Sequence, residues 1–527
     1  MTSQNYEEFG ALEELDSYLL DPSYEFGNCN NPDVCNHLSQ FSVQTYEQNC
    51  AFEPSSASAS GSHPPCASSS NESCGTQPDC LSDTTNNDVF NNCPLSLSSP
   101  YGLDCLDELK NDKLGEAEAA MQRSLAPDSL IDAHNNQLSS EFVLSHAAME
   151  IVGRRDLKEM LVACAKAVGD NDLVTRDFLM YELQLMVSVS GEPLQRLGAY
   201  MLEGLVARLA NSGSSIYKAL RCKEPSSPEL LSYMHLLYEA CPYFKFGYLS
   251  ANGAIAEAMK NENRIHIVDF QITQGTQWFT LIQALATRPG GPPQVRITGI
   301  DDSFSANARG VGLQIVGQRL SGLAQSCGVP FEFCGLAISS CDIESEHLGV
   351  RPGEALAVNF AMVLHHIPDE SVGVQNHRDR ILRMVKNLSP KVVTLVEHES
   401  NTNTAPFLLR FTETLDYYLA IFESIDEALS RDHKERINVE QHCLARDIVN
   451  IIACEGLERV ERHEPLGKWR LRLSMAGFNP FPLSSFVNAT IKNLLENYSR
   501  KYTLEEGVGC LYLGWMNRDL VASSAWI

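Results

Sequence analysis

This chain of 527 residues is short of basic charge: 40 Lys and Arg stand against 67 Asp and Glu, for a net −27. The shortage is concentrated at one end. Residues 1–150 hold 24 acids against Lys110, Lys113 and Arg123, whereas residues 151–527, at a net −6, are nearly balanced. Neither part carries the basic patch with which a protein grips phosphates unaided, so composition lends no electrostatic support to direct DNA binding. Paired cysteines are missing as well. The 17 cysteines include no C-x2-C pair, and no two histidines stand at zinc-finger spacing, which excludes the common structural zinc modules. No apolar run is long enough to span a bilayer, and the first 20 residues are acidic and interrupted, unlike a secretory leader. An intracellular protein with free thiols and no membrane partner is expected. Arg154-Arg155 is too small a basic cluster to read as a nuclear import signal. No P-loop, Ser-His-Asp order or metal-ligand set is present, so no metal or resident cofactor is expected.

What the first 150 residues do contain is Ser, Asn, Asp and Pro, with tracts such as Ser55-Ser56-Ala57-Ser58-Ala59-Ser60. Such a segment buries too little apolar area to offset the entropy of ordering, and a disordered acidic arm is expected over 1–150. Within it Tyr6, Phe9, Leu12, Leu15 and Tyr18-Leu19 recur among Glu7, Glu8, Glu13, Glu14 and Asp16. That pattern suits an acidic helix folding into a partner's groove, or equally a stray helical turn with no partner. A weaker stretch of the same kind runs from Leu103 to Leu114.

Order is predicted from near Arg155. Asp156 is a plausible N-cap, and Leu157, Met160, Leu161, Cys164 and Val168 make a helical stripe. Further helices are predicted over 172–189, 192–210 and 228–240, separated by Gly191-Glu192-Pro193 and Pro225-Ser226-Ser227-Pro228. The heptads are too short-lived for a coiled coil, so 151–262 is expected to be a helical cap that packs through its leucines. From 264 to 527 the pattern alternates. Strands are predicted at Ile265–Phe270, Val295–Ile300, Phe331–Cys334, Ala355–Phe360 and Val392–Glu397, with helices at Trp278–Thr287, Ala308–Ser326, Arg378–Lys386 and Phe407–Phe422. Cys510–Trp515 and Leu520–Trp526 then read as an antiparallel hairpin. Five parallel strands closed by an antiparallel pair give an α/β, Rossmann-like core of class I methyltransferase type beneath the helical cap.

In such a sheet, ligands bind beyond the carboxyl ends of the strands. That edge collects Asp269, the loop 271–277, Asp301 or Asp302, and His365-His366. Asp301 suits the ribose of S-adenosylmethionine. The first loop does not suit the rest of it: Gln271, Ile272, Thr273 and Gln274 carry side chains where the backbone must approach closely, leaving Gly275 alone. An S-adenosylmethionine-dependent methyltransferase is therefore the alternative reading, and a vestigial or partner-facing loop the preferred one. His365-His366, followed by Pro368-Asp369-Glu370, resembles the segment after strand four of plant small-molecule O-methyltransferases, where a histidine abstracts a proton. The plainer expectation is that one histidine caps the strand and the other faces solvent. His266 reads as a satisfied core histidine, and Asp269 as a buried acid bonded to loop amides. Trp278, Trp469, Trp515 and Trp526 read as packing residues. Arg459-Val460-Glu461-Arg462 alternates charge like a solvated edge.

Together these residues resemble the GRAS family of plant transcriptional regulators, the SCARECROW-like proteins, over about 150–527. Ile265-His266-Ile267-Val268-Asp269 looks like the family's VHIID motif, with Gln274, Gly275 and Trp278 just after it. Leucine-rich regions flank it at about 155–235 and 308–345. Pro406-Phe407-Leu408-Leu409-Arg410-Phe411-Thr412-Glu413 resembles the PFYRE element, with Tyr absent and Arg410 and Glu413 displaced. Arg459-Val460-Glu461-Arg462 and Ser524-Ala525-Trp526 resemble the RVER and SAW elements, and Ile297 to Ser303 is most similar to the phytochrome A signal-transduction branch. The resemblance implies dimers with other GRAS proteins, recruitment to promoters by DNA-binding transcription factors, signalling partners in light, hormone or stress responses, and a place in nucleus and cytoplasm. It also implies a surface for partners built on these motif residues.

Overall fold

The computed structural model describes residues 146–210, 216–301 and 312–527. Residues 1–145, with both amphipathic stretches of the acidic arm, and the start of the helix predicted from Ala308 lie outside the described residues.

Local capping sets most of the first helices. After α1 (His146–Arg154), which begins before the predicted onset, Asp156 accepts a 3.0 Å hydrogen bond from the Glu159 amide and starts α2 (Leu157–Gly169). Asp172 does the same for Thr175 at 3.1 Å in α3 (Leu173–Met186). Pro193 sits in the first turn of α4 (Pro193–Leu209), where its missing N–H costs nothing. The short α5 (Ile216–Ala219) follows, then a capping box between Ser226 and Glu229 opens α6 (Ser227–Ala240). The last of the series, α7 (Tyr243–Ala258), was not predicted. Tyr243, Phe246, Ala251, Ala254 and Ile255 are all buried on it, so it lacks the one-sided stripe that marks an amphipathic helix.

The remaining elements are β1 (Arg264–Asp269), α8 (Thr276–Ala286), β2 (Gln294–Asp301), α9 (Leu313–Ser326), β3 (Phe331–Ala337), β4 (Ala355–Ala361), α10 (His377–Asn387), β5 (Val392–His398), α11 (Phe407–Ala428), α12 (Lys434–Val439), α13 (Ala445–Ala453), α14 (Leu466–Met475), β6 (Pro480–Phe481), α15 (Ser485–Glu496), β7 (Tyr502–Gly507), β8 (Cys510–Trp515) and β9 (Arg518–Trp526). The sheet order is β3-β2-β1-β4-β5-β9-β8-β7, with β6 paired to the end of β9. β1 to β5 are parallel, and β9 joins β5 antiparallel. This is the methyltransferase-type order predicted, except that the terminal hairpin gains β7 as an edge strand. The chain runs outward from β1 to β3 and then returns to β4, so the topological switch point lies between β1 and β4.

The cap's apolar cluster continues onto one end of the sheet, through Val396 of β5, Leu513 and Trp515 of β8 and Val521 of β9. Leu161, Leu197, Leu205, Phe422 and Ile448 belong to the cap's core, where α2, α4, α11 and α13 meet. The leucine stripes there are packing surfaces. A largely buried ionic cluster of four residues crosses the same core: Glu440 accepts from Arg196 Nε at 3.0 Å and from Arg436 at 2.6 Å, while Arg196 also donates to Asp426 at 2.7 Å. It ties α4, α11 and α12 together, and removing one partner would strand a buried charge. The four tryptophans 278, 469, 515 and 526 are all buried, as packing residues should be.

Candidate functional site

At the switch point, the crevice where a methyltransferase-type sheet would hold its cofactor is filled by this chain's own side chains. Asp269 ends β1 and accepts three hydrogen bonds: Trp278 Nε1 at 2.8 Å, the Gln271 amide at 3.2 Å and Asn359 Nδ2 at 3.2 Å. Burial raises its pKa to about 6 despite those donors. Asn359, on β4, also donates to Gln277 Oε1 at 3.1 Å and accepts from Thr394 at 2.8 Å. Gln277 in turn donates to Asn252 Oδ1 at 3.3 Å, and Asn252 donates to the Gln277 carbonyl at 2.7 Å. β1, β4, β5, α7 and α8 are thus laced together by buried amides that satisfy one another. A cavity of about 10 Å³ beside Gln277 and Thr280 has room for about one water.

The first loop closes the same crevice from above. Ile272 bonds the Ile300 carbonyl through its amide at 3.0 Å and lays its side chain over Gly299 of β2. A Cβ on Gly299 would stand 2.5 Å from Ile272 Cδ1. Gly275 has φ +73°, and a Cβ there would stand 2.9 Å from Val316. Both glycines therefore admit neighbouring side chains of the protein itself. Asp301 is buried at the end of β2. His266 is a satisfied core histidine: Arg296 donates to Nδ1 at 2.9 Å, so Nε2 carries the proton toward Thr298 Oγ1, also at 2.9 Å. Burial and the Arg296 charge lower its pKa to about 4.

A second constellation gathers beyond β4 and β5. The His365-His366 pair does not divide into a cap and a solvated ring as expected. His365 is 2% exposed and holds Glu397 Oε2 at 2.6 Å through Nδ1, with Glu461 Oε2 at 3.4 Å from Nε2. Burial disfavours the charged ring, but the two carboxylates outweigh it and raise its pKa to about 10. Glu397 Oε1 also accepts the Val363 and Leu364 amides at 3.2 and 2.7 Å, which fixes the turn after β4. His366 meets Glu461 Oε1 at 3.1 Å, and His463 meets Oε2 at 3.3 Å. His398 stands face-tilted to His463 with ring centroids 4.6 Å apart.

Behind the histidines lies a buried ionic net. Asp369 accepts from Ser371 Oγ at 2.6 Å, from Arg472 at 3.0 Å and from Asn403, and its Oδ2 is 3.6 Å from Arg378. Burial alone would raise its pKa, but the Ser371 hydrogen bond and the Arg378 charge hold it at about 2. The segment 459–462 is part of this net, which corrects its reading as a solvated edge. Arg459 donates to the Thr402 and Asn403 carbonyls at 2.6 and 3.0 Å, and Arg462 to Asn403 Oδ1 at 3.2 Å. Val460 alone points outward there, at 44% exposure.

The GRAS domain family matches residues 157–527. The chain is 66% identical to Scarecrow-like transcription factor PAT1 of Arabidopsis thaliana over 432 residues, which are 80% of this chain and 88% of that protein. It is 65% identical to Chitin-inducible gibberellin-responsive protein 2 of Oryza sativa subsp. japonica over 435 residues, 81% of this chain and 79% of that one. The crystal structure of SCL7 from Oryza sativa superposes with a TM-score of 0.63 at 36% identity, covering 71% of this chain and 99% of that one. This chain belongs to the GRAS family. It is a SCARECROW-like plant transcriptional regulator.

Within the GRAS domain, burial corrects the reading of the motif residues as a partner-facing surface. His266, Asp269, Gly275, Trp278, Asp301, Arg410, Arg459, Glu461, Arg462 and Trp526 are all buried, while Gln274 and Glu413 are half-buried. Several have internal partners. Arg410 donates to the Ile451 carbonyl at 3.0 Å, joining α11 to α13, and Glu413 accepts from Ser400 and the Asn401 amide at 3.0 Å. Trp526 donates to Ser524 Oγ at 3.0 Å. Asn359, Gln277, Glu397, His398 and His463 went unnoticed in the sequence. For Asn359 and Glu397 a signal was present, since each interrupts an apolar strand where a polar residue needs a reason.

Proposed function

We propose that this chain regulates transcription without catalysis, as a co-regulator whose GRAS domain is a rigid docking platform recruited by DNA-binding partners. The observation that carries the reading is the filled crevice at the switch point, where Asp269, Gln277, Trp278 and Asn359 bond one another and Ile272 covers Gly299. A net charge of −27 makes recruitment through a DNA-binding partner the better account of promoter contact. Dimerisation with other GRAS proteins and the acidic arm as the contact to transcription or signalling proteins belong to the same proposal. So does a light, hormone or stress setting; one relative's name speaks of chitin induction and gibberellin response. Transcription-factor relatives support a nuclear place. Nothing comparable supports the cytoplasmic residence expected from the resemblance. No helix among the described residues is long and apolar enough to cross a membrane.

A reporter driven by the full chain fused to a heterologous DNA-binding domain tests the reading. Deleting residues 1–30 should lower reporter output at unchanged protein level. Unchanged output would remove the arm from the mechanism. The second reading, an S-adenosylmethionine-dependent methyltransferase, is favoured by the strand order and by Asp301 at the end of β2.

A further inference from the structure

In a chain of net charge −27, the surface over α14 and the β7–β8 turn is both apolar and basic. On α14, Leu471 and Met475 stand one turn apart and are 65% and 71% exposed, and Val508, in the turn between β7 and β8, is 83% exposed. Arg470 draws that turn against the helix, donating to the Val508 carbonyl and standing 2.9 Å from Cys510 Sγ. On the other flank α10 brings up Lys386. Its ammonium lies 4.8 Å from the Phe478 ring centroid, and its Cε would stand 3.7 Å from a Cβ on Gly477. Arg383 is exposed one turn earlier on the same helix. None of these three cations has an ion-pair partner among the described residues: α14 contains no acid, and the carboxylates of Asp369, Glu370, Asp379 and Glu464 are all engaged by Arg472. We propose that this face seats the acidic stretch at residues 6–19 of the same chain.

Charge and pattern select that occupant. Phe9, Leu12 and Leu15 recur at helical spacing among Glu7, Glu8, Glu13, Glu14 and Asp16, with no base between 6 and 19. An apolar stripe bordered by carboxylates is the complement of Leu471, Met475 and Val508 bordered by Arg383, Lys386 and Arg470. Residues 20–145 tether it, and a flexible chain of that length spans roughly 60 Å, so reach does not restrict the stretch to one face. The rival apolar face is on the cap, where α3 exposes Leu173, Tyr181 and Leu185. There Asp177 and Glu182 would meet the acids of the stretch, and Arg176 is already paired with Asp177 at 2.6 Å. Like charges across such a contact are costly, so α14 is the seat and α3 is not. A few apolar side chains steered by exposed charge make a weak, salt-sensitive contact, which suits a reversible seat at the end of a tether. Where the arm serves as the contact to transcription proteins, the seat withholds it. That consequence rests on the function proposed above; the contact itself does not.

The test is photo-crosslinking in the full chain, with Phe9 replaced by benzoylphenylalanine and the illuminated, digested protein read by mass spectrometry. The seat predicts intrachain crosslinks from position 9 into residues 466–482 and 508–510, in a yield that does not change on dilution. Leu471→Asp, at an exposed position, should lower that yield by about fivefold or more, and Leu185→Asp on the cap should leave it unchanged. Lys386→Glu combined with Arg470→Glu should lower it as well, and adding Glu13→Lys and Glu14→Lys should restore it, which a merely disturbed α14 would not allow. Crosslinks confined to other parts of the chain, products that vanish on dilution because they join two copies, no crosslinked product at all, or a yield indifferent to Leu471→Asp would each overturn the proposal. The reporter comparison reads the arm's action and not its seat, so the two can fail separately.

Discussion

Asp269 shows how one carboxylate holds a loop in shape. Three donors converge on it from Gln271, Trp278 and Asn359, so an amide in its place sets a donor against donors. Asp269→Asn should cost about 1–3 kcal/mol in urea unfolding. The pH dependence has a definite sign. With its folded pKa raised to about 6 by burial, the folded state binds the proton more tightly than the unfolded state does. Asp269 alone therefore makes the fold more stable as pH falls from about 6 toward the ordinary carboxylate range, and that part of the slope should vanish in the Asn variant. Asp369 has the opposite sign. Its pKa is held at about 2, so its contribution is complete above the ordinary carboxylate range and is lost as pH falls through about 2. Asp369→Ala leaves Arg378 and Arg472 short of a buried partner and should cost roughly 3–5 kcal/mol by the same measurement.

Between elements, fit decides what the crevice can accept. Gly299 on β2 is occupied from above by Ile272, and Gly299→Ala should overpack the contact at a cost of about 1–3 kcal/mol in thermal unfolding. Adding Ile272→Ala should recover part of that loss; equal damage in both variants would mean that Ile272 is not what fills the space. Elements were the most legible feature of the sequence, because parallel strands buried on both faces read as β-branched runs and the Asp caps announce their helices. α7 was missed because it is apolar on most sides, and β7 because Tyr502–Gly507, with Glu505 and Glu506, forms a polar edge. The site was far less legible. Charge alternation over 459–462 looks the same whether arginines meet water or the Thr402 and Asn403 carbonyls. His365, His398 and His463 become a cluster when β4, β5 and residues 459–464 share one edge, which is a property of topology and not of spacing.

For the molecule as a whole, architecture and chemistry are separate: a methyltransferase-type sheet lies under a helical cap, with its switch-point crevice given over to internal hydrogen bonds. That division explains how motif residues can be so distinctive in sequence and yet so buried, since they hold the elements of the domain together. Under the proposed function the acidic arm and the platform have separate tasks, which the reporter comparison distinguishes. The most direct test of the central claim is a calorimetric titration of the full chain with S-adenosylmethionine. A filled crevice predicts no saturable heat and no rise in melting temperature at saturating ligand. Saturable micromolar binding that Asp301→Ala abolishes would contradict the account and return the chain to the enzymes whose strand order it shares.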